Sequence, residues 1–143
     1  MVTGLRFPLA AAAALMLCGC ALSASQEPVG ASARPGLDVD AIQVTENGAA
    51  SPDVDPAECR AFVLDEGMVR AALEEGESIG RDDYLHRLPW SPCLVRGRLV
   101  LTDGRQGTWT VRQYGTGSVL FDDGAEWFFW CRTCTSSPFV AVE

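Results

Sequence analysis

With 143 residues, 48% of them apolar and 21% charged, the chain has room for one small domain and excludes a large multi-domain enzyme. Nineteen acidic side chains against eleven basic ones leave a net charge of −8, the wrong sign for a general nucleic-acid partner. Every basic residue is Arg and none is Lys, a bias better explained by GC-rich coding of an Ala-rich chain than by an arginine-specific function.

The N-terminus reads as an address. Arg6 precedes an apolar run over residues 7–17, too short for the roughly 20 apolar residues that a bilayer crossing needs and of the length of a signal-peptide core. Leu17-Cys18-Gly19-Cys20 follows at once. This sequence resembles the lipobox of bacterial lipoproteins, with an aliphatic residue at −3, a small one at −1, and the Cys that becomes the first mature residue. The resemblance implies a cleaved leader over residues 1–19 and acylation of Cys20. The competing site for ordinary secretory cleavage, Leu22-Ser23-Ala24, has Leu where a small residue is expected. A single acyl chain anchors only marginally, at about 0.8 kcal/mol per buried CH2, so several chains on Cys20 are expected to hold the protein on a membrane. Ala21 stands where many Gram-negative lipoproteins carry an Asp retention signal, which points to the outer membrane, facing the periplasm. The acyl chains are the only cofactor-like groups expected.

Residues 20–54 are rich in Ser, Ala, Gly and Pro and carry one Arg against five acids. Such a segment buries too little apolar surface to offset chain entropy and is expected to be a flexible acidic tether, with a span of roughly 30 Å. The folded domain is expected over residues 55–143. Asp55, Pro56 and Glu58 have the pattern of a capped helix start. Phe62, Val69 and Leu73 recur at helical spacing, with Val63 and Ala72 widening the apolar face, and Gly76 suits the helix end. Gly67 weakens the middle by about 1 kcal/mol relative to Ala and invites a bend or break. A short helical turn is expected over residues 82–88, before Pro89.

Beyond Pro92 the pattern alternates. Val95, Gly97, Leu99 and Leu101 share one strand face with Arg96 and Arg98 on the other; Trp109 and Val111 alternate with Thr108, Thr110 and Arg112. Residues 119–121 and 127–131 supply two more strands. Asp103-Gly104, Gly115-Thr116-Gly117 and Asp122-Asp123-Gly124 are turn sequences, so the strands should follow one another as an antiparallel meander. The expected fold is α+β, with the N-terminal helix packed on a four-stranded antiparallel meander.

Cys59, Cys93, Cys131 and Cys134 remain in the domain, and an even number of Cys in a small exported domain reads as disulfides. In a meander, Cys93 at the start of the first strand and Cys131 at the end of the fourth lie at one end of the sheet. That favours joining Cys93 to one member of the Cys131/Cys134 pair and Cys59 to the other, with Cys59–Cys93 plus Cys131–Cys134 as the alternative. Cys131-Arg132-Thr133-Cys134 has redox-motif spacing but follows a strand, not the helix N-terminus that depresses thiol pKa in such sites. Zinc binding is disfavoured because Cys59 and Cys93 lack paired spacing, and no metal site is expected.

Catalytic patterns are otherwise missing. His86 is the only histidine, adjacent acids such as Asp65-Glu66 and Asp122-Asp123 suit a solvated surface, and Gly115-Thr116-Gly117 lies between strands, not before a helix. One constellation suggests binding: Arg96, Arg98, Arg112 and Tyr114 across the first two strands, with Phe128 and Trp130 on the fourth. The competing view puts the rings in the core and leaves the arginines as a solvated face, as a domain needing most of its Trp and Phe inside would have it. Residues 83–87 and 90–93, Trp109-Thr110-Val111, Gly115-Thr116-Gly117 and Cys131 to Cys134 together resemble small envelope proteins of Gram-negative bacteria, a resemblance that implies no activity and no catalytic residue. The leading expectation is a non-enzymatic, lipid-anchored module that binds an envelope protein through its sheet. An immunity or inhibitor lipoprotein acting in the periplasm is the second, and a small envelope enzyme the third.

Overall fold

The computed structural model describes residues 36–142; the expected leader, Cys20 and the first part of the expected tether lie outside them. Nine elements follow in order: β1 (Val39–Ala50), α1 (Pro56–Cys59), α2 (Glu66–Glu75), β2 (Glu77–Ile79), a π-helical segment (Asp83–Arg87), β3 (Cys93–Leu101), β4 (Gln106–Arg112), β5 (Thr116–Phe121) and β6 (Glu126–Trp130). The strands form one six-stranded sheet in the order β1-β3-β4-β5-β6-β2, antiparallel at every pairing. The expected helix on a four-stranded meander is therefore overturned: the molecule is mostly sheet, with three short helical pieces.

Two strands make the difference. β1, read from sequence as part of the tether, runs for 12 residues along β3, from Val39 opposite Leu101 to Ala50 opposite Cys93. Contacts made by distant residues hold it there. Arg70 of α2 donates to the carbonyls of Val39 and Asp40, Asn47 Oδ1 accepts the Leu64 N–H at 2.9 Å, and Gly48 N–H donates to Phe62 O at 3.0 Å. Just before β1, Gly36 and Leu37 donate to the carbonyls of Gly76 and Leu73 at 2.8 and 2.9 Å, tying the chain's entry into the sheet to the end of α2. Gly36 has φ +58°, and a Cβ there would strike the carbonyls of Leu73 and Glu74, so only glycine fits this junction. β2, three residues long, pairs with β6 at the opposite edge.

The single bent helix expected from residue 55 is two helices. α1 starts where Asp55 accepts the Ala57 N–H, with Pro56 first, but ends at Cys59. α2 has its own cap, Asp65, whose Oδ1 accepts the Met68 N–H at 2.8 Å. The break falls at residues 60–65, before Gly67, because Phe62 and Leu64 enter the core from an extended link, each 1% exposed. Asp65→Ala removes the α2 cap and is expected to cost about 1 kcal/mol, read as a lowered urea midpoint; an unchanged midpoint would contradict the capping role.

Val69, Ala72 and Leu73 of α2 are fully buried in the same cluster as the inner faces of the strands, where Val95, Leu99, Trp109, Val111, Val119 and Phe129 lie. Large rings in this core are matched to glycines on neighbouring strands. Gly97 of β3 is paired with Trp109 and Gly117 of β5 with Phe129, and a Cβ at Gly117 would sit 2.5 Å from Phe129 Cε1. Trp109 satisfies its indole N–H by donating to Arg98 O at 2.9 Å.

The disulfides are Cys59–Cys93 and Cys131–Cys134. The favoured alternative fails on width. Cys93 and Cys131 do belong to one end of the sheet, but β4 and β5 stand between β3 and β6. Three inter-strand steps of about 4.8 Å separate them by roughly 14 Å. A disulfide holds Cα atoms about 4.4 to 6.8 Å apart. Cys59, brought to the start of β3 by α1, supplies the partner instead at a Cα separation of 5.0 Å.

Candidate binding surface

The outer face of the sheet carries the side chains that alternate with the core. Arg96 and Arg98 stand on it opposite Thr110 and Thr108, but each is engaged by an acid from another element. Arg96 Nε lies 3.1 Å from Glu46 Oε2 of β1, and Arg98 Nη2 lies 3.5 Å from Asp122 Oδ2 of the β5–β6 turn. These pairs are about half exposed and contribute at most about 1 kcal/mol each, yet they leave neither guanidinium as a bare cation.

Arg112, at the end of β4, is built in differently. It is half-buried, its Nη1 donates to Ser91 O at 2.8 Å, its Nε approaches the Tyr84 hydroxyl at 3.4 Å, and Cζ stands 4.9 Å from the centre of the Trp90 ring. No carboxylate lies within salt-bridge distance of it among the described residues, unlike the other strand arginines, Arg96 and Arg98. Tyr84 in turn packs its ring 4.9 Å from Phe128 of β6. The π-helical segment makes this arrangement by crossing the outer face: the Leu88 N–H reaches back five residues to Asp83 O, and the Tyr84 N–H bonds to Gly80 O. Pro89 and Pro92 then flank Trp90, which is left 53% exposed, with Leu85 nearby in sequence at 49%.

The expected constellation is thus divided. Arg112 and Phe128 do meet, through Tyr84, and Phe128 and Trp130 lie on the outer face, half-buried, while Trp127 and Phe129 stack at 4.8 Å on the inner side. Arg96 and Arg98 belong to ion pairs, and Tyr114 lines a separate shallow cleft of about 240 Å³ with Trp130, Arg132 and Cys134. Sequence reasoning missed Tyr84 and Trp90. The available signal was an aromatic residue held between two prolines directly before a strand, a position that has no reason to be apolar unless it packs or binds.

Other features have little chemical promise. His86 is exposed on the π-helical segment. Among the described residues, no group of three or more His, Cys, Asp or Glu side chains is placed to hold a metal ion. A cleft of about 540 Å³ beside the β3–β4 turn is lined by Asp38, Glu74, Asp103 and Arg105. The Arg105 backbone N–H at 3.0 Å and its guanidinium at 2.9 Å hold the Asp103 carboxyl below the usual carboxylate range, opposite to the upward shift of a general acid working at neutral pH. Comparison with known proteins finds no matching family model, curated protein or solved structure.

Proposed function

We propose that this chain is a lipid-anchored binding module of the cell envelope, attached through Cys20 and engaging an envelope protein with the outer sheet face around Trp90 and Arg112. The observation that carries the reading is a half-exposed indole stacked on a half-buried arginine that has no carboxylate within salt-bridge distance among the described residues. Trp, Tyr and Arg are the residues that contribute most at protein interfaces, and a guanidinium already desolvated on one side gains more from a partner's carboxylate than a fully hydrated one. The leader and the lipobox ending at Cys20 support the anchoring half.

Anchoring is tested by expressing the full chain in a Gram-negative host fed an alkyne-tagged palmitate. The tag should appear on the protein in the membrane fraction, and Cys20→Ser should abolish both labelling and membrane retention; a labelled or membrane-retained Cys20→Ser variant would overturn the assignment. For binding, Trp90→Ala combined with Arg112→Ala should abolish co-purification of the envelope partner. Arg96→Ala and Arg98→Ala should change it by no more than about twofold, because their charges are already paired at the surface. The opposite ranking would move the site to β3. A chain beginning at residue 55 is unsuitable for either test, since it lacks β1.

The second reading, an inhibitor of a periplasmic enzyme, draws on the net charge of −8 and on the two disulfides, which suit a rigid domain facing a basic target. Protection of cells producing the full chain against a secreted toxin of a competing strain would favour it.

A further inference from the structure

Two disulfides of unlike setting occupy one small domain. Cys59–Cys93 joins α1 to the first residue of β3 across 34 positions of sequence, and its residues are 0% and 5% exposed. Cys131–Cys134 spans three positions in the turn after β6. Cys131 is buried, but Cys134 is half-buried and lines two shallow clefts of about 240 and 250 Å³, one beside Tyr114 and Trp130 and the other beside Met68 and Pro138. Cys131 borders the first cleft too but is only 2% exposed, so the second bridge is the more accessible at Cys134.

Thr133 prepares the open form. Its hydroxyl donates to the Glu75 carboxylate, and its oxygen lies 3.4 Å from Cys131 Sγ. With its own proton committed to Glu75, that oxygen can accept a hydrogen bond from a Cys131 thiol once the bridge is open. The pair follows a strand and lacks the helix N-terminus that would make a reduced Cys a strong nucleophile. It is thus suited to receive reducing equivalents, not to catalyse disulfide formation in other proteins. Exposed bridges are the exchangeable ones in secreted proteins, and a bridge that closes a short loop withholds less entropy from the open chain than one that closes a long loop.

We propose that Cys131–Cys134 is a thiol-exchange site that takes a dithiol as its reductant, and that its opening releases the segment Arg132–Val142 while Cys59–Cys93 stays closed. One thiolate of the dithiol attacks Cys134 Sγ, a new S–S bond forms, and the Cys131–Cys134 bond breaks with its electron pair leaving on Cys131 Sγ, which takes a proton from water. The second thiolate then attacks the reductant's own sulfur in the mixed disulfide and expels Cys134 as thiolate, which is protonated in turn. The pair gains two electrons and the dithiol is oxidised to a disulfide. What the bridge helps to hold is the C-terminal segment, otherwise fastened at its start by Arg132, which pairs with Glu77 at 3.0 Å, and by Thr133 on Glu75, and further on by Phe139, which packs edge-on against Phe62 at 5.7 Å, and by the Val140 N–H bonded to Gln113 O at 3.0 Å.

The test is a dithiothreitol titration of the folded full chain at neutral pH, quenched with iodoacetamide and read by peptide mass spectrometry, with amide hydrogen exchange in parallel. Cys131 and Cys134 should become half-alkylated at a reductant concentration at least about tenfold below that needed for Cys59 and Cys93. At that concentration exchange should quicken at Val140 and stay slow across β3 and β4. Reduction of both bridges together, or alkylation of Cys131 and Cys134 only when β3–β4 amides also exchange, overturns the proposal. The double variant Cys131→Ala, Cys134→Ala provides a second reading: its Val140 amide should exchange as in the reduced protein, and full protection there overturns the release.

Discussion

Gly97→Ala is expected to lower stability by about 3 kcal/mol or more, among the largest effects of any single methyl group in this chain. The glycine sits in β3 between two neighbours that leave no room: a Cβ would run into the Gln43 carbonyl oxygen of β1 and lie 2.5 Å from Trp109 Cζ2. Backbone cannot yield as a long side chain can, so the added carbon must either push β1 from the sheet or turn Trp109 out of a site where it is 1% exposed and bonded to Arg98 O. Both routes cost packing in the centre of the core. The measurement is urea unfolding followed by circular dichroism, with Thr108→Ala on the exposed face as the control, for which a change within about 0.5 kcal/mol is expected. Equal midpoints for the two variants would mean that β1 is not seated against β3 as described.

Removing the two disulfides separately should give unequal losses. Cys59–Cys93 closes a loop of 34 positions and Cys131–Cys134 one of three. Loop-closure entropy then gives about 4 kcal/mol for Cys59→Ala with Cys93→Ala, and about 2 kcal/mol for Cys131→Ala with Cys134→Ala. The larger figure is a substantial share of what a small domain has available, and the first double variant is expected to be largely unfolded at 37 °C. Thermal melts of the two variants and the parent chain decide the matter. A greater loss from the Cys131–Cys134 pair would contradict both the pairing and the assignment of Cys59–Cys93 as the structural bridge.

How much of this was legible in the sequence depends on the distance between the residues that make each element. β3 to β6 follow one another close to where alternation and the Asp-Gly turns place them, because a hairpin is specified by its own residues and its own loop, although Thr116 and Gly117, expected in a turn, belong to β5. β1 carries Val39, Ile42 and Val44 but departs from strict pairing at three places along β3, so its alternation is broken in the sequence as well as in the ladder. It becomes a strand through Arg70, Asn47 and the α1–α2 link, which no local window contains. β2 is three residues with an edge partner some 50 residues later, and nothing in Glu77-Ser78-Ile79 announces it. Val69 and Leu73 share the buried face of α2, but Phe62, spaced as if on the same helix, reaches the core from a link. Asp65, which with Glu66 suits a solvated surface, instead caps α2.

The disulfide error has the same origin. The position of Cys93 and Cys131 along the strands could be read from turn spacing; their separation across the sheet followed from the number of intervening strands and outweighed it. At the candidate surface, the alternation of Arg96 and Arg98 with apolar residues correctly placed them outside, but ion pairing with Glu46 and Asp122 is decided by β1 and by a distant turn. Arg112 stands apart because the π-helical segment brings Tyr84 and Trp90 over it, again a tertiary event.

The most direct measurement of the proposed role is crosslinking in intact cells. A photoreactive amino acid at Leu85, 49% exposed and next to Tyr84, leaves Trp90 and Arg112 in place, and one at Val63, 51% exposed in the α1–α2 link, serves as the comparison. The account predicts a discrete protein adduct from position 85 that is lost on adding Trp90→Ala, with none of that size from position 63. The same adducts from both positions, or an adduct at position 85 that survives Trp90→Ala and Arg112→Ala together, would contradict it.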